Sequence, residues 1–129
     1  MESNVIVTVY QTQDNEATQI IYEGAGMLKR EDNWCILEYN NKEETNKLII
    51  NTSECKLIRK GTHNTELTLS FINESNVVIE TEYGVLNIEA ETISIIVDDR
   101  VMSIEYDIIE GKKVVSSFTI TWLIKEVLS

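Results

Sequence analysis

The sequence predicts an all-β fold, a single antiparallel up-and-down barrel of about eight to ten strands filling residues 1–129 as one domain. Three observations carry this. Ile, Val and Thr supply 41 of 129 residues against three Ala and no Pro, and β-branched side chains suit a pleated, half-buried surface. Apolar residues recur with a period of two rather than 3.6. Short turn-like clusters rich in Asn, Asp, Ser and Gly punctuate the chain at intervals of roughly 8–12 residues.

The elements follow in order. Near the start, Val5, Val7 and Val9 alternate with Ile6, Thr8 and Tyr10. A long segment around Gly24-Ala25-Gly26 comes next, with a change of parity of the kind that glycines and bulges allow where a strand bends round a barrel. Strands are then expected over 34–39, 48–51, 55–59, 66–72, 77–83, 85–97 and 101–109, with a second parity change near Thr92-Ile93. From Val114 onward, Ser116, Phe118, Ile120, Trp122 and Ile124 share one parity, and Ser117, Thr119 and Thr121 the other. The stretch 123–128 fits either an extension of that strand or one helical turn. Joining these are Asn40-Asn41-Lys42, Gly61-Thr62-His63-Asn64, Asn73-Glu74-Ser75-Asn76, Asp98-Asp99-Arg100 and Glu110-Gly111-Lys112. So many strands close or stack, because an open sheet leaves unpaired edges.

Four segments together resemble the YwiB-like family of small bacterial proteins. They are Leu57-Ile58-Arg59-Lys60-Gly61, Leu67-x-Leu69-x-Phe71, Thr81-Glu82-Tyr83-Gly84-x-Leu86 and Ile104-Glu105-Tyr106-Asp107. The resemblance spans nearly the whole chain and implies a calycin-like, lipocalin-related β-barrel of unknown function. Glu82 stands where the family often has Pro before its aromatic-Gly pair, and the first strand lacks the Gly-x-Trp of true lipocalins. The family brings no catalytic residue with it.

Composition narrows function by exclusion. Lys plus Arg number 11 against 22 Asp plus Glu, a net charge of -11, which argues against binding nucleic acid or an anionic membrane surface. The first residues lack a basic stretch followed by an apolar one, and no apolar run is long enough to span a bilayer, so a cytoplasmic location is expected. Cys35 and Cys55 have no CxxC spacing and read as free thiols packed as small hydrophobes. With one histidine and two unclustered cysteines no metal site is expected, and Lys29 at the third glycine position of Gly24-x-Gly26 rejects a dinucleotide fingerprint. His63 lies in a turn with no nucleophile beside it, so no catalytic constellation and no cofactor is expected.

Three features remain as candidates. Residues 61–111 hold 11 acids and one base, Arg100, with Glu80 and Glu82, Glu89 and Glu91, and Glu105 and Asp107 each sharing a parity. They predict an acidic outer face, read as a solvated exterior or as a docking surface for a basic protein or divalent cations. The second candidate is Arg59. Leu57 and Arg59 share one face while Lys56, Ile58 and Lys60 share the other, so a cation points inward whichever face is buried. An inward Arg59 needs an anion, either an internal carboxylate such as Glu38 or a ligand's carboxylate. Third, Trp34, Tyr83, Tyr106 and Trp122 are aromatic strand positions able to fill a barrel or line its mouth. The resulting expectation is a non-enzymatic module binding an apolar or anionic small molecule, with Arg59, Trp34, Tyr83, Tyr106 and Trp122 as contacts. A protein-interaction or structural module working through the acidic face, with a homo-oligomer as one form of it, is the other expectation.

Overall fold

The structure, a computed structural model, describes residues 2–127. Ten strands run in order: β1 (Glu2–Gln13), β2 (Gln19–Glu31), β3 (Trp34–Asn40), β4 (Thr45–Ile50) and β5 (Glu54–Lys60), then β6 (Asn64–Ser70), β7 (Ser75–Thr81), β8 (Gly84–Val97), β9 (Val101–Glu110) and β10 (Lys113–Glu126). Each pairs antiparallel with the next, and β1 closes the ring against β10 from Val5↔Glu126 to Gln13↔Phe118. The result is a closed up-and-down barrel with no free edge, as the alternation predicts. No helix among the described residues is long and apolar enough to cross a membrane.

Alternation decides which side chains enter the barrel. Val5, Val7 and Val9 of β1 are buried, as are Cys35, Leu37 and Tyr39 of β3, Leu48 and Ile50 of β4, and Cys55 and Leu57 of β5. Met102, Ile104 and Tyr106 of β9 and Ile120, Trp122 and Ile124 of β10 complete the opposite wall. A barrel of ten strands encloses more space than one of eight. Here Trp122, Leu37, Leu48, Leu69, Met102 and Ile104 fill its middle, all close to fully buried.

Three bulges change parity where the walls turn. Val9 pairs Tyr22 but Tyr10 pairs Ile20, which leaves Ile21 as the extra residue of β2. Ile93 of β8 and Val115 of β10 are skipped in the same way. The Thr92-Ile93 parity change is therefore where the sequence places it. In β2 the change falls at Ile21 instead of the glycines, which have another role. Gly26 faces inward, and a Cβ there would sit 2.7 Å from Val7 Cγ2 and 3.2 Å from the Glu38 carbonyl oxygen. A Cβ on Gly24 would meet the Tyr22 hydroxyl at 2.9 Å.

Some boundaries differ from the sequence expectation. β4 begins at Thr45, three residues before Leu48, because Asn46 continues the inward parity of Leu48 and Ile50 despite being polar. β7 stops at Thr81, and Tyr83 sits in the two-residue turn to Gly84. At the C-terminal end the chain is strand through Glu126, and Leu128 lies outside the described residues. The hairpin at Gly111 and Lys112 has positive φ at both residues (58 and 67), the type I′ geometry that matches strand twist.

Cys35 and Cys55 are free and buried. Both stand opposite Ile50, on its two flanking strands, so two strand spacings of about 4.8 Å each separate them. That is beyond the reach of a disulfide.

Candidate anion site at the barrel mouth

Three inward positions line up across neighbouring strands at one end of the barrel. Tyr39 of β3 is directly opposite Asn46 of β4, which is directly opposite Arg59 of β5. Cross-strand partners of this kind place their Cβ atoms about 5 Å apart. The row forms the inner wall of an open cavity of about 220 Å³, lined on its other sides by Gln11, Ile21, Tyr22, Asn41 and Glu44. Asn41 Oδ1 accepts the backbone N–H groups of Glu43 (3.0 Å) and Glu44 (2.8 Å), which fixes the β3–β4 turn as part of the rim.

The polar groups at this mouth are unevenly served. Tyr39 Oη accepts a 3.0 Å hydrogen bond from Trp122 Nε1, an indole donor with no access to water. Arg59 Nε and Nη2 and Asn46 Nδ2 are buried, and among the described residues none of the three finds an acceptor. Asn46 as a whole is only 4% exposed. Nε and Nη2 form one edge of the guanidinium, the pair of parallel donors that grips two oxygens of one carboxylate. Glu38, the internal carboxylate that the sequence offered for Arg59, points the other way: Leu37 and Tyr39 face inward, so Glu38 lies exposed outside. Lys56, on the outer parity of β5, pairs with Glu66 at 3.1 Å. Among the described residues Arg59 forms no ion pair, although Glu44 lines the same cavity.

Aromatic rings frame the cation. Tyr22 and Tyr39 lie with centroids 4.8 Å apart at 36°, and Tyr22 Oη donates to the Ala25 carbonyl at 2.7 Å. Gly24 leaves the space that this ring occupies. Deeper in, Tyr106 stacks on Phe118 at 5.3 Å and 16°. Burial pushes the Tyr106 hydroxyl up to about 12, with the Arg59 charge pulling the other way. Burial likewise raises Tyr39 against its Trp122 hydrogen bond and Arg59, and it raises the Cys55 thiol to about 12. These groups stay protonated in the folded barrel while their unfolded counterparts ionise near pH 9–10. The native state then binds more protons than the unfolded state, so stability falls as pH rises from about 9 to 12. Urea midpoints at pH 8 and pH 11 are expected to show the loss, and Tyr106→Phe to shrink it. A midpoint unchanged at pH 11 contradicts the burial of these groups.

The sequence candidates separate clearly. Arg59, Tyr106 and Trp122 all face the interior, Arg59 at the mouth and Trp122 one layer below Tyr39. Trp34 does not join them: with Cys35 turned inward it faces outward, along an external groove of about 330 Å³ that also includes Ile49 and Lys56. Tyr83, 92% exposed, stands at a hairpin tip. His63 is exposed in the β5–β6 turn. Glu89 and Glu91 of β8 and Glu105 of β9 are exposed outside, with Glu91 directly opposite Asp107, so the acidic face exists on neighbouring strands. Among the described residues no three His, Cys, Asp or Glu side chains converge to hold a metal ion. Asn46, Tyr22 and Gln11 belong to the mouth and are absent from the sequence expectation.

Fold and site together define a small closed antiparallel β-barrel with a filled middle and an aromatic-framed mouth that contains Arg59. The chain belongs to the family described as Domain of unknown function (DUF1934), whose profile matches residues 5–121. Among solved structures, it is similar over its whole length to the crystal structure of the ywiB protein from Bacillus subtilis. The TM-score is 0.77 at 17% identity, covering 98% of this chain and 94% of that one. The YwiB-like resemblance read from the sequence therefore stands. No curated protein matches the chain.

Proposed function

We propose that the protein is a non-enzymatic binding module that takes one small anionic molecule at the barrel mouth, its acid group on Arg59. The observation that carries this reading is that Arg59 and Asn46, neighbours in the lining of one cavity, hold three buried donors without acceptors, Arg59 Nε, Arg59 Nη2 and Asn46 Nδ2. A guanidinium edge buried without acceptors is costly, and each buried donor left unmade costs about 1–3 kcal/mol. A bound anion removes these costs together, and its own desolvation is offset by charge-assisted hydrogen bonds. Barrels of the lipocalin kind can hold one small ligand in their interior. The reading assigns no catalysis: the one histidine is exposed in the β5–β6 turn, and burial raises both Tyr106 and the Cys55 thiol far from neutrality.

Calorimetric titration with sodium acetate, the simplest carboxylate probe, tests the reading. One saturable site per chain is expected, with affinity on the order of millimolar, and none in Arg59→Met. Equal heats from the two proteins, or no saturable heat from either, reject it.

A further inference from the structure

Resting on that reading, we propose that the mouth is built for a single-ring aromatic monocarboxylate and discriminates against dianions and small aliphatic acids. Charge is the first reason. The cavity contains one cation, Arg59, and one carboxylate, Glu44. Lys60, the next cation along β5, has the outward parity and is exposed. A monoanion matches Arg59. A phosphate dianion or a dicarboxylate brings a second negative charge that meets no partner, faces Glu44, and enters a chain of net charge -11.

Shape is the second reason. The free Nε and Nη2 edge of Arg59 offers two parallel donors to the two oxygens of a planar carboxylate, and Asn46 Nδ2 adds a third donor from the next strand. Beside this polar corner Tyr22 packs tilted on the buried Tyr39 and is the aromatic ring of the cavity lining nearer the rim. Each ring is anchored through its hydroxyl, one on the Ala25 carbonyl and the other under the Trp122 indole. Rings held in this way stack on a flat partner without losing further freedom on binding, and an aliphatic chain gives up that contact.

Size is the third reason. A cavity of about 220 Å³ equals the liquid volume of about seven waters and lies below the usual range for drug-sized ligands. One aromatic ring with its acid group fills it, and a fused polycyclic or a long fatty acid exceeds it. The polar acid end is deep and the ring nearer the rim, since the three donors belong to the buried wall.

Calorimetric competition among benzoate, acetate, inorganic phosphate and phthalate tests the proposal on the wild-type chain, Tyr22→Ala and Arg59→Lys. Benzoate is expected to bind at least about tenfold more tightly than the other three. Tyr22→Ala should weaken benzoate severalfold and leave acetate unchanged, because it removes the ring and keeps the fork. Arg59→Lys keeps the charge but loses the two-pronged grip, and should weaken benzoate and acetate alike. Acetate or phosphate binding as tightly as benzoate, with every affinity still dependent on Arg59, overturns this inference and leaves the anion site standing. No binding of any probe rejects the anion site itself, and binding indifferent to Arg59→Lys overturns the two-pronged grip on which this inference rests.

Discussion

Arg59→Met is expected to make the empty barrel more stable while abolishing its anion site. Met keeps most of the length and apolar volume of the arginine stem and removes the guanidinium, whose Nε and Nη2 are buried without acceptors. Replacing buried charge with apolar atoms of similar volume is commonly neutral or stabilising, and an unpaired charge gains most, so about 1–3 kcal/mol of added stability is expected. Urea unfolding of the two proteins in a buffer free of carboxylates and phosphate measures it. The opposing changes distinguish a ligand-binding arginine from a structural one, since a site that needs its ligand is held at a cost to the empty fold. A Met variant less stable than wild type by more than about 1 kcal/mol means that Arg59 is satisfied within the protein, and the account fails.

Trp122→Ala is expected to act in the opposite direction and strongly. Trp122 is fully buried between the walls, and its indole N–H is the donor to Tyr39 Oη. Deleting it leaves a large void and a hydroxyl without its donor, for a loss of about 3–5 kcal/mol. Against a total stability of about 5–15 kcal/mol this removes a large share of the fold. Trp122→Phe keeps most of the volume and gives up the hydrogen bond, and should cost about 1–2 kcal/mol. Denaturant midpoints at fixed slope report both. A loss below about 1 kcal/mol for the alanine variant contradicts a middle filled by this ring, and would mean an open interior where the structure has packed side chains.

Much of the barrel is legible in the sequence because a half-buried antiparallel strand is written in a period of two. β1 and β10 show it without ambiguity: Val5, Val7 and Val9 are buried on one strand and Ile120, Trp122 and Ile124 on the other, with Val7 opposite Ile124 and Val9 opposite Trp122. The carboxylates of β7, β8 and β9 are equally plain, since each alternates with inward apolar residues and the three strands are neighbours. Trp34 is readable as outward once Cys35, Leu37 and Tyr39 are taken together as the buried set.

The mouth is harder to read, for reasons that are physical. In β5 each face mixes an apolar residue with a cation, so local pattern cannot orient it. Its orientation comes from pairing, with Leu57 between the buried Leu48 and Leu67 on its two neighbours. Asn46 looks like a turn residue because an amide is unexpected at an inward position, although it shares the parity of Leu48 and Ile50. Tyr22 holds the inward parity of Leu28, opposite Val9, but glycines at 24 and 26 leave no apolar pattern to reveal it, and the bulge at Ile21 resets the residues before it. Tyr83 reads as a strand aromatic by spacing and stands exposed because the turn at Glu82 and Tyr83 arrives first.

The central claim is that Arg59 awaits a ligand's acid group. Its most direct test is native mass spectrometry of wild-type and Arg59→Met chains purified gently from the cells that make this protein, each compared with its denatured mass. The account predicts a mass excess of one small acid on the wild type, lost on denaturation and missing from Arg59→Met. The same excess on both proteins, or a bare mass for both after exchange into benzoate, contradicts it.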